Sequence, residues 1–343
     1  MGYLKERERY TIEALLREGK GVSYIARRLG RCRATIYNEI RRGTVARMRT
    51  DLSVRNTYDA YAGQMVKEKR SHNKGKPLKI GNDMQYVRKV EELILEHKYS
   101  PYACTVHIAR NCPEIPTRVC TVTLYNYIYS GLFLHVTKSD LPYRKKRRRK
   151  PQTNTRMALN HLDGLNIEER PKEILSRESA GHWEMDTVVS GKKKSRKCLL
   201  VLTERKTRME LVYRMLDKRA ASTVSVLDRL ESRIGTDNFR GLFRTVTTDN
   251  GVEFLDADGM AKSLSGKRRT VTYYCHPYKS CERGSNENQN RLIRRWIPKG
   301  SDISKYTDQQ IRELQDWIND YPRKMFGGKS AREVFEQEFF NTS

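Results

Sequence analysis

Three acidic residues, distant from one another in a chain of 343, stand in settings suited to metal-assisted chemistry: Asp186 in HWEMDTVVS, Asp249 in RTVTTDNGVEF and Glu287 in ERGSNENQNRLIRRW. A carboxylate in the middle of a strand is costly to bury unless a cation or a donor meets it, and Asp186 occupies such a place. Asp249 follows the end of another strand-like run. Glu287 falls on a basic amphipathic helix, with Arg283 four residues before it, Arg291 four after and Arg294 seven after, all on one face. Carboxylates brought together from such places hold two hard cations, the arrangement that cuts and joins phosphodiester bonds, while flanking guanidinium groups hold phosphates. Each acid also has a plainer reading: an edge-strand carboxylate, a D-N-G turn residue, and ordinary i,i+4 salt bridging on a solvated helix. Their joint occurrence in one order of elements favours the chemical reading.

That order belongs to the last half of the chain. HWEMDTVVS, KCLLVLTER and MELVYRM read as three successive strands, followed by a helix over about 218–234 and a strand at RTVTTD. A short helix at 257–264, a fifth strand at TVTYYC and helices at 282–297 and 307–319 complete it. Three adjacent strands, then helix, strand, helix, strand, helix is the succession of the ribonuclease H-like α/β fold. In that fold the strands carrying Asp186 and Asp249 are neighbours. Glu184 and Glu282 lie close in sequence to the acids, and Glu184 shares a strand face with Asp186, so strand geometry alone leaves a ligand role for either.

The first part of the chain is helical. Residues 8–42 read as three short helices, the second being SYIARRLG, capped by Ser23 and stopped by Gly30. Ala26, Gly30 and Ile36 stand where a helix-turn-helix needs a small packing residue, a turn residue of positive φ and a core aliphatic. The third helix turns Arg33, Tyr37, Asn38, Arg41 and Arg42 outward, and Arg and Asn can read base edges in the major groove. TLYNYI at 123–128 repeats TIYNEI at 35–40 within a similar helical setting, and Ser100-Pro101 caps the preceding helix. A second helix-turn-helix-like module is therefore expected. The resulting boundaries are a helix-turn-helix domain at 1–47, a basic linker at 48–82, the second helical module at 83–143, a basic linker at 144–175 containing RKKRRRK, and an α/β domain at 176–343.

Charge and cysteine usage exclude several classes. The formal net charge is +27, from 68 Lys+Arg against 41 Asp+Glu, which favours a polyanionic partner through release of its counterions. Seven cysteines occur with no C-x-x-C, which argues against a zinc ribbon or finger. Cys104, Cys112 and Cys120 read as small buried thiols in helices. No apolar run approaches the roughly 20 residues of a membrane helix, and with no signal peptide the expected location is a reducing cytoplasm. The sequence lacks G-x-x-x-x-G-K-[ST] and H-E-x-x-H, so ATP-driven and zinc-hydrolase chemistries have no support.

The stretch from GHWEMDTVV through TTDNGVEF to ERGSNENQNRLIRRWIPKG resembles the DDE catalytic core of the IS30 family of bacterial insertion-sequence transposases. The likeness extends to TIYNEIRRG, to SPYACTVHI with TLYNYIYSG, to NIEERPKEI and to SAREVF, and so covers nearly the whole chain. The resemblance implies that Asp186, Asp249 and Glu287 are the triad that binds two Mg²⁺ ions, for which Mn²⁺ can substitute, with Arg283 and Arg294 as its basic companions. It implies a ribonuclease H-like integrase core and double-stranded DNA partners, both terminal inverted repeats and target. It further implies a homodimer or larger assembly in a nucleoid-associated prokaryotic setting. Glu253, in DNGVEF, is a candidate to support the triad from behind. The family has Gly where Met185 stands, an aromatic at Cys281 and a Ser-like cap at Cys32, and many related enzymes have Lys at the position of Arg294. Two other functions fit the same features: a DNA-binding repressor with an inactive core, and a nuclease of this fold that cuts without joining.

Overall fold

The computed structural model describes residues 4–48, 50, 52–72, 77–81, 83–142, 164–263, 265–276, 282 and 284–340. Arg283 and the run RKKRRRK at 144–150 lie outside them. The chain forms two compact units, residues 1–81 and 82–343.

In the first unit, helices α1 (Glu6–Arg17), α2 (Val22–Leu29) and α3 (Arg33–Gly43) enclose Leu4, Ile12, Ile25, Ala26 and Ile36. Gly30 ends α2 in the left-handed region at φ 61°, as the turn requires. Ser23 is not the cap of α2. Gly21 is, because its extended backbone offers its carbonyl to Tyr24 N–H and Ile25 N–H, which starts the helix at Val22. The segment expected to be a basic linker is largely structured. Strands β1 (Thr44–Met48) and β2 (Val54–Tyr58) pair as an antiparallel hairpin, and α4 (Ala60–His72) follows. The cause is a buried ion pair: Arg9 Nε donates to Glu39 Oε1 at 2.6 Å with both side chains 2% exposed. Such a pair needs its remaining donors and acceptors met. Gln64 of α4 accepts from Arg9 Nη1, and Tyr58 of β2 donates to Glu39.

The second unit begins with α5 (Met84–Leu95), α6 (Pro101–Asn111) and α7 (Thr121–Tyr129). Ser100 caps α6 by accepting from Ala103 N–H, with Pro101 in the first turn. Cys104 and Cys112 are buried, but Cys120 is exposed at the start of α7, because an N-cap lies outside the helix packing it introduces. After the undescribed 143–163 come β3 (Leu165–Asn166), α8 (Glu173–Ser176), β4 (His182–Val189), β5 (Cys198–Glu204) and β6 (Glu210–Met215). They continue with α9 (Ala220–Ile234), α10 (Thr236–Leu242), β7 (Thr245–Thr248), α11 (Ala257–Ala261) and β8 (Val271–Tyr274). Helices α12 (Gly284–Trp296), α13 (Asp308–Asp320) and α14 (Ala331–Phe339) close the unit. The helical module is packed on this part of the chain: Trp317 Nε1 donates to His97 O, Arg295 Nη1 to Lys98 O, and Tyr321 O–H to Ser100 Oγ.

The sheet order is β3-β8-β7-β4-β5-β6, with β4, β5 and β6 antiparallel and β7 and β8 parallel to β4. Residues 164–175, expected as linker, instead supply edge strand β3, and Arg170 just beyond it is buried with its guanidinium on Thr247 Oγ1. Period-two alternation builds three layers. Trp183, Met185, Leu200, Leu202 and Val246 face one core with side chains of α9 and α10, whereas Val188, Leu199, Val201 and Val212 face another with α12 and α13. Every residue of β5 is buried, the signature of a strand covered on both faces.

His182 opens β4 and is buried between Thr245 Oγ1 at 2.8 Å and Ser179 Oγ at 3.1 Å. Burial, with the neighbouring charges of Arg244, Arg205 and Arg170, pushes its pKa down to about 4. An unfolded chain takes up this proton near pH 6.5. Stability owed to the neutral ring is therefore complete above about pH 6.5 and lost as pH falls toward about 4, by at most about 1.4 kcal/mol per pH unit. Urea midpoints of wild type and His182→Asn between pH 7 and pH 4.5 check this. The wild-type midpoint is expected to fall more steeply, and parallel slopes would refute it.

Candidate active site

Strand β4 pairs with β7 only through His182–Thr245, Trp183–Val246 and Glu184–Thr247. Two residues beyond the last pair stand Asp186, still on β4, and Asp249, just past the end of β7. The sheet opens a notch there, which is why Asp186, on a central strand, is only half-buried. His182, Glu184 and Asp186 share the β4 face covered by α12, while Met185 points into the opposite core and is fully buried. Met185 therefore adds no bulk on the face of Asp186. Trp183 is likewise a core residue, stacked on Phe243 with its Nε1–H on Leu242 O.

Helix α12 runs along β4. Its first backbone N–H groups, from Ser285 and Asn286, donate to Glu184 Oε2 at 3.0 and 3.1 Å. One turn on, Asn290 Nδ2 donates to Asp186 Oδ2 at 2.8 Å. Asp186 Oδ1 accepts from Thr187 N–H, and Asp249 Oδ1 from Gly251 N–H at 3.0 Å in a tight turn. Glu287 lies on the same helix between the Glu184 and Asp186 contacts. Its side chain is 58% exposed and paired with Arg291 at 2.7 Å.

The two nearby acids are occupied elsewhere. Glu184 is fully buried and bonded to Arg205 Nη1 at 2.8 Å as well as to the α12 terminus. Glu282 holds His276 through its backbone N–H and its ring, and His276 reaches Glu168. On β6, where Asn319 of α13 holds its backbone, burial pushes Glu210 up to about 8 against the opposing pull of Thr203 and Arg323. Glu253 is 2% exposed; Thr187 Oγ1 donates to its Oε1 at 2.5 Å, and Lys218 Nζ stands 3.1 Å from the same oxygen. Of the cationic companions, Arg291 is exposed and bonded to Glu287, while Arg294 is half-buried with its pKa lowered by desolvation. Arg33, Tyr37, Asn38, Arg41 and Arg42 of the first unit are all exposed along α3.

Asn290 and Thr187 escaped the sequence analysis. Asn290 sits three residues after Glu287, the spacing that shares a helix face, and Thr187 adjoins Asp186. Among the described residues no three His, Cys, Asp or Glu side chains form a ready-made metal cluster. The donors at the notch are carboxylate and amide oxygens, the set that suits Mg²⁺ or Mn²⁺, and Mg²⁺ commonly takes one or two carboxylates and completes its shell with water and substrate phosphate. In that sense the residues fit such an ion.

Residues 2–43 match a helix-turn-helix domain family. Over its length the chain is similar to a probable transposase for the insertion-like sequence element IS1161 of Streptococcus salivarius, at 33% identity over 97% of this chain and 94% of that protein. It is 30% identical to the transposase for insertion sequence element IS1086 of Cupriavidus metallidurans, over 98% of this chain and 95% of that one. The transposase InsI for insertion sequence element IS30A of Escherichia coli is 29% identical, over 98% of this chain and 84% of its own.

The geometry separates Glu184 from Asp186 by their effect on folding. Glu184→Ala strands a buried Arg205 guanidinium and uncaps α12, and is expected to cost about 3–5 kcal/mol in urea unfolding. Asp186→Asn, at a half-solvated notch, is expected to cost about 1 kcal/mol or less. Equal losses would show that Asp186 is a structural acid too.

Proposed function

Because this chain belongs to the IS30 family of insertion-sequence transposases, we propose that it is a DNA transposase that cuts and joins strands with Asp186, Asp249 and Glu287 in a ribonuclease H-like core. The observation that carries the reading is the sheet order. Asp186 stands on β4 beneath α12, the helix that bears Glu287, and Asp249 stands one residue past the end of β7, the parallel neighbour of β4.

The three acids would hold magnesium ions, which supply activation of water for the first cut and stabilisation of the leaving 3′ oxygen. The chain's own part is orientation. Thr187 N–H and Asn290 aim the two oxygens of Asp186, and Gly251 N–H aims Asp249. Arg291 neutralises Glu287 in the free protein, and a DNA phosphate competes for that guanidinium, which releases the carboxylate where substrate is present. The freed 3′-OH would then take the place of water, forming its P–O bond at a phosphate of a second strand as that strand's own 3′ oxygen leaves and takes up the proton. Exposed Arg33, Tyr37, Asn38, Arg41 and Arg42 on α3 present the surface that would read the terminal inverted repeats, with ends paired in a dimer or larger assembly.

Incubation of end-containing DNA with Mg²⁺ and wild type, or with Asp186→Ala, Asp249→Ala or Glu287→Ala, tests the proposal. Each variant is expected to lose cleavage and joining by at least about 100-fold, the worth of several kcal/mol, while end binding stays within about twofold. Binding without cutting by wild type would mean a repressor, and cutting without joined product a nuclease. Arg33→Ala and Asn38→Ala are expected to relax the sequence preference of binding; a uniform loss across sequences would make them phosphate contacts.

A further inference from the structure

Glu253 carries an oxygen that the fold buries and leaves unmet. Thr187 and Lys218 both engage Oε1, while Oε2 has no hydrogen-bond partner in a side chain only 2% exposed. An unpaired buried carboxylate oxygen is costly, and Lys218, 43% exposed, is too solvated to offset that cost. The orphan oxygen lies near Asp249, on the far side of Gly251. A Cβ built on Gly251 would collide with Glu253 Oε2 and lie within 3.0 Å of Asp249 Oδ1, so both acidic oxygens close on the Cα of one glycine with only a short gap between them. Two carboxylate oxygens across such a gap repel, and a cation between them reverses the sign of the interaction.

We propose that Glu253 is a fourth acidic group of the divalent-ion site, contributing Oε2 beside Asp249; this rests on the ion site assigned above to Asp186 and Asp249. Thr187 is its positioning residue, because one amino acid donates its backbone N–H to Asp186 and its hydroxyl to Glu253. Glu253 is thereby tied, through its other oxygen, to the strand that carries the first acid of the site. A purely structural Glu253 would need Lys218 for its stability, whereas a ligand gains its partner only when the ion arrives.

The test is a titration of the full-length protein with Mn²⁺, free ion being read by electron paramagnetic resonance, beside urea unfolding of the metal-free protein. Glu253→Gln retains an oxygen for Thr187 and removes the charge. It is expected to weaken Mn²⁺ binding about 10- to 100-fold, with the metal-free midpoint unchanged or raised. Glu253→Asp, which withdraws the oxygen by one methylene, is expected to weaken binding as well. Wild-type Mn²⁺ affinity in both variants, with a lowered midpoint, would overturn the proposal and leave a structural ion pair with Lys218. Asp249→Asn separates the two levels of inference. If it loses Mn²⁺ and the Glu253 variants do not, only the fourth group falls; if it binds like wild type, the ion site itself falls.

Discussion

A single buried carboxylate, that of Glu184, governs where the acids near the notch can be. It receives Arg205 from the turn between β5 and β6 and two backbone N–H groups from the start of α12. A helix N-terminus carries partial positive charge and unpaired donors, so a buried anion there settles both a charge and a hydrogen-bond deficit. With its first turn pinned on residue 184, α12 runs along β4, and its next turn brings Asn290 onto Asp186. The position of Glu287 follows from that one anchor.

The sheet supplies the second constraint. Alternation along β4 sends Trp183 and Met185 into one core and Glu184, Asp186 and Val188 toward α12, so polar and apolar demands are met by the two faces of one strand. The flank of β4 opens at Asp186 because β7 is short and its chain turns away at Asp249. Solvent reaches a central strand there without breaching either core. The same turn carries Gly251, whose missing side chain lets the carboxylates of Asp249 and Glu253 both close on its Cα. A residue that looks like a turn former in D-N-G thus has its reason in what surrounds it.

The first unit solves a comparable problem on a smaller scale. Its hydrophobic core holds few large side chains, and the Arg9–Glu39 pair adds a buried polar centre that recruits Tyr58 and Gln64 from the hairpin and α4. Glu39 lies on the inner face of α3, while the opposite face of that helix is left to Arg33, Asn38 and Arg41. Burying an acid on one side of a basic helix leaves the side chains of Arg33, Asn38 and Arg41 exposed on the other.

Periodicity and composition by themselves determined the strand succession, the basic outer face of α3, the Gly30 turn and the Ser100 cap, because each depends on neighbours within a few residues. The acids were legible as candidates for the same reason, being charges set in strand or helix patterns that do not otherwise need them. What only the tertiary structure decided is which acid does what. Glu184 and Asp186 share one strand face and differ only in that Arg205 and the α12 terminus converge on the first, partners 21 and about 100 residues away. The residues read as linker became β2, α4 and β3 because their pairing and burial partners lie far along the chain, and the roles of Asn290 and of the two oxygens of Glu253 emerged only from long-range contacts. Local sequence sets propensity and pattern, while desolvation and charge pairing depend on everything within a few ångströms, and that neighbourhood is assembled only by folding.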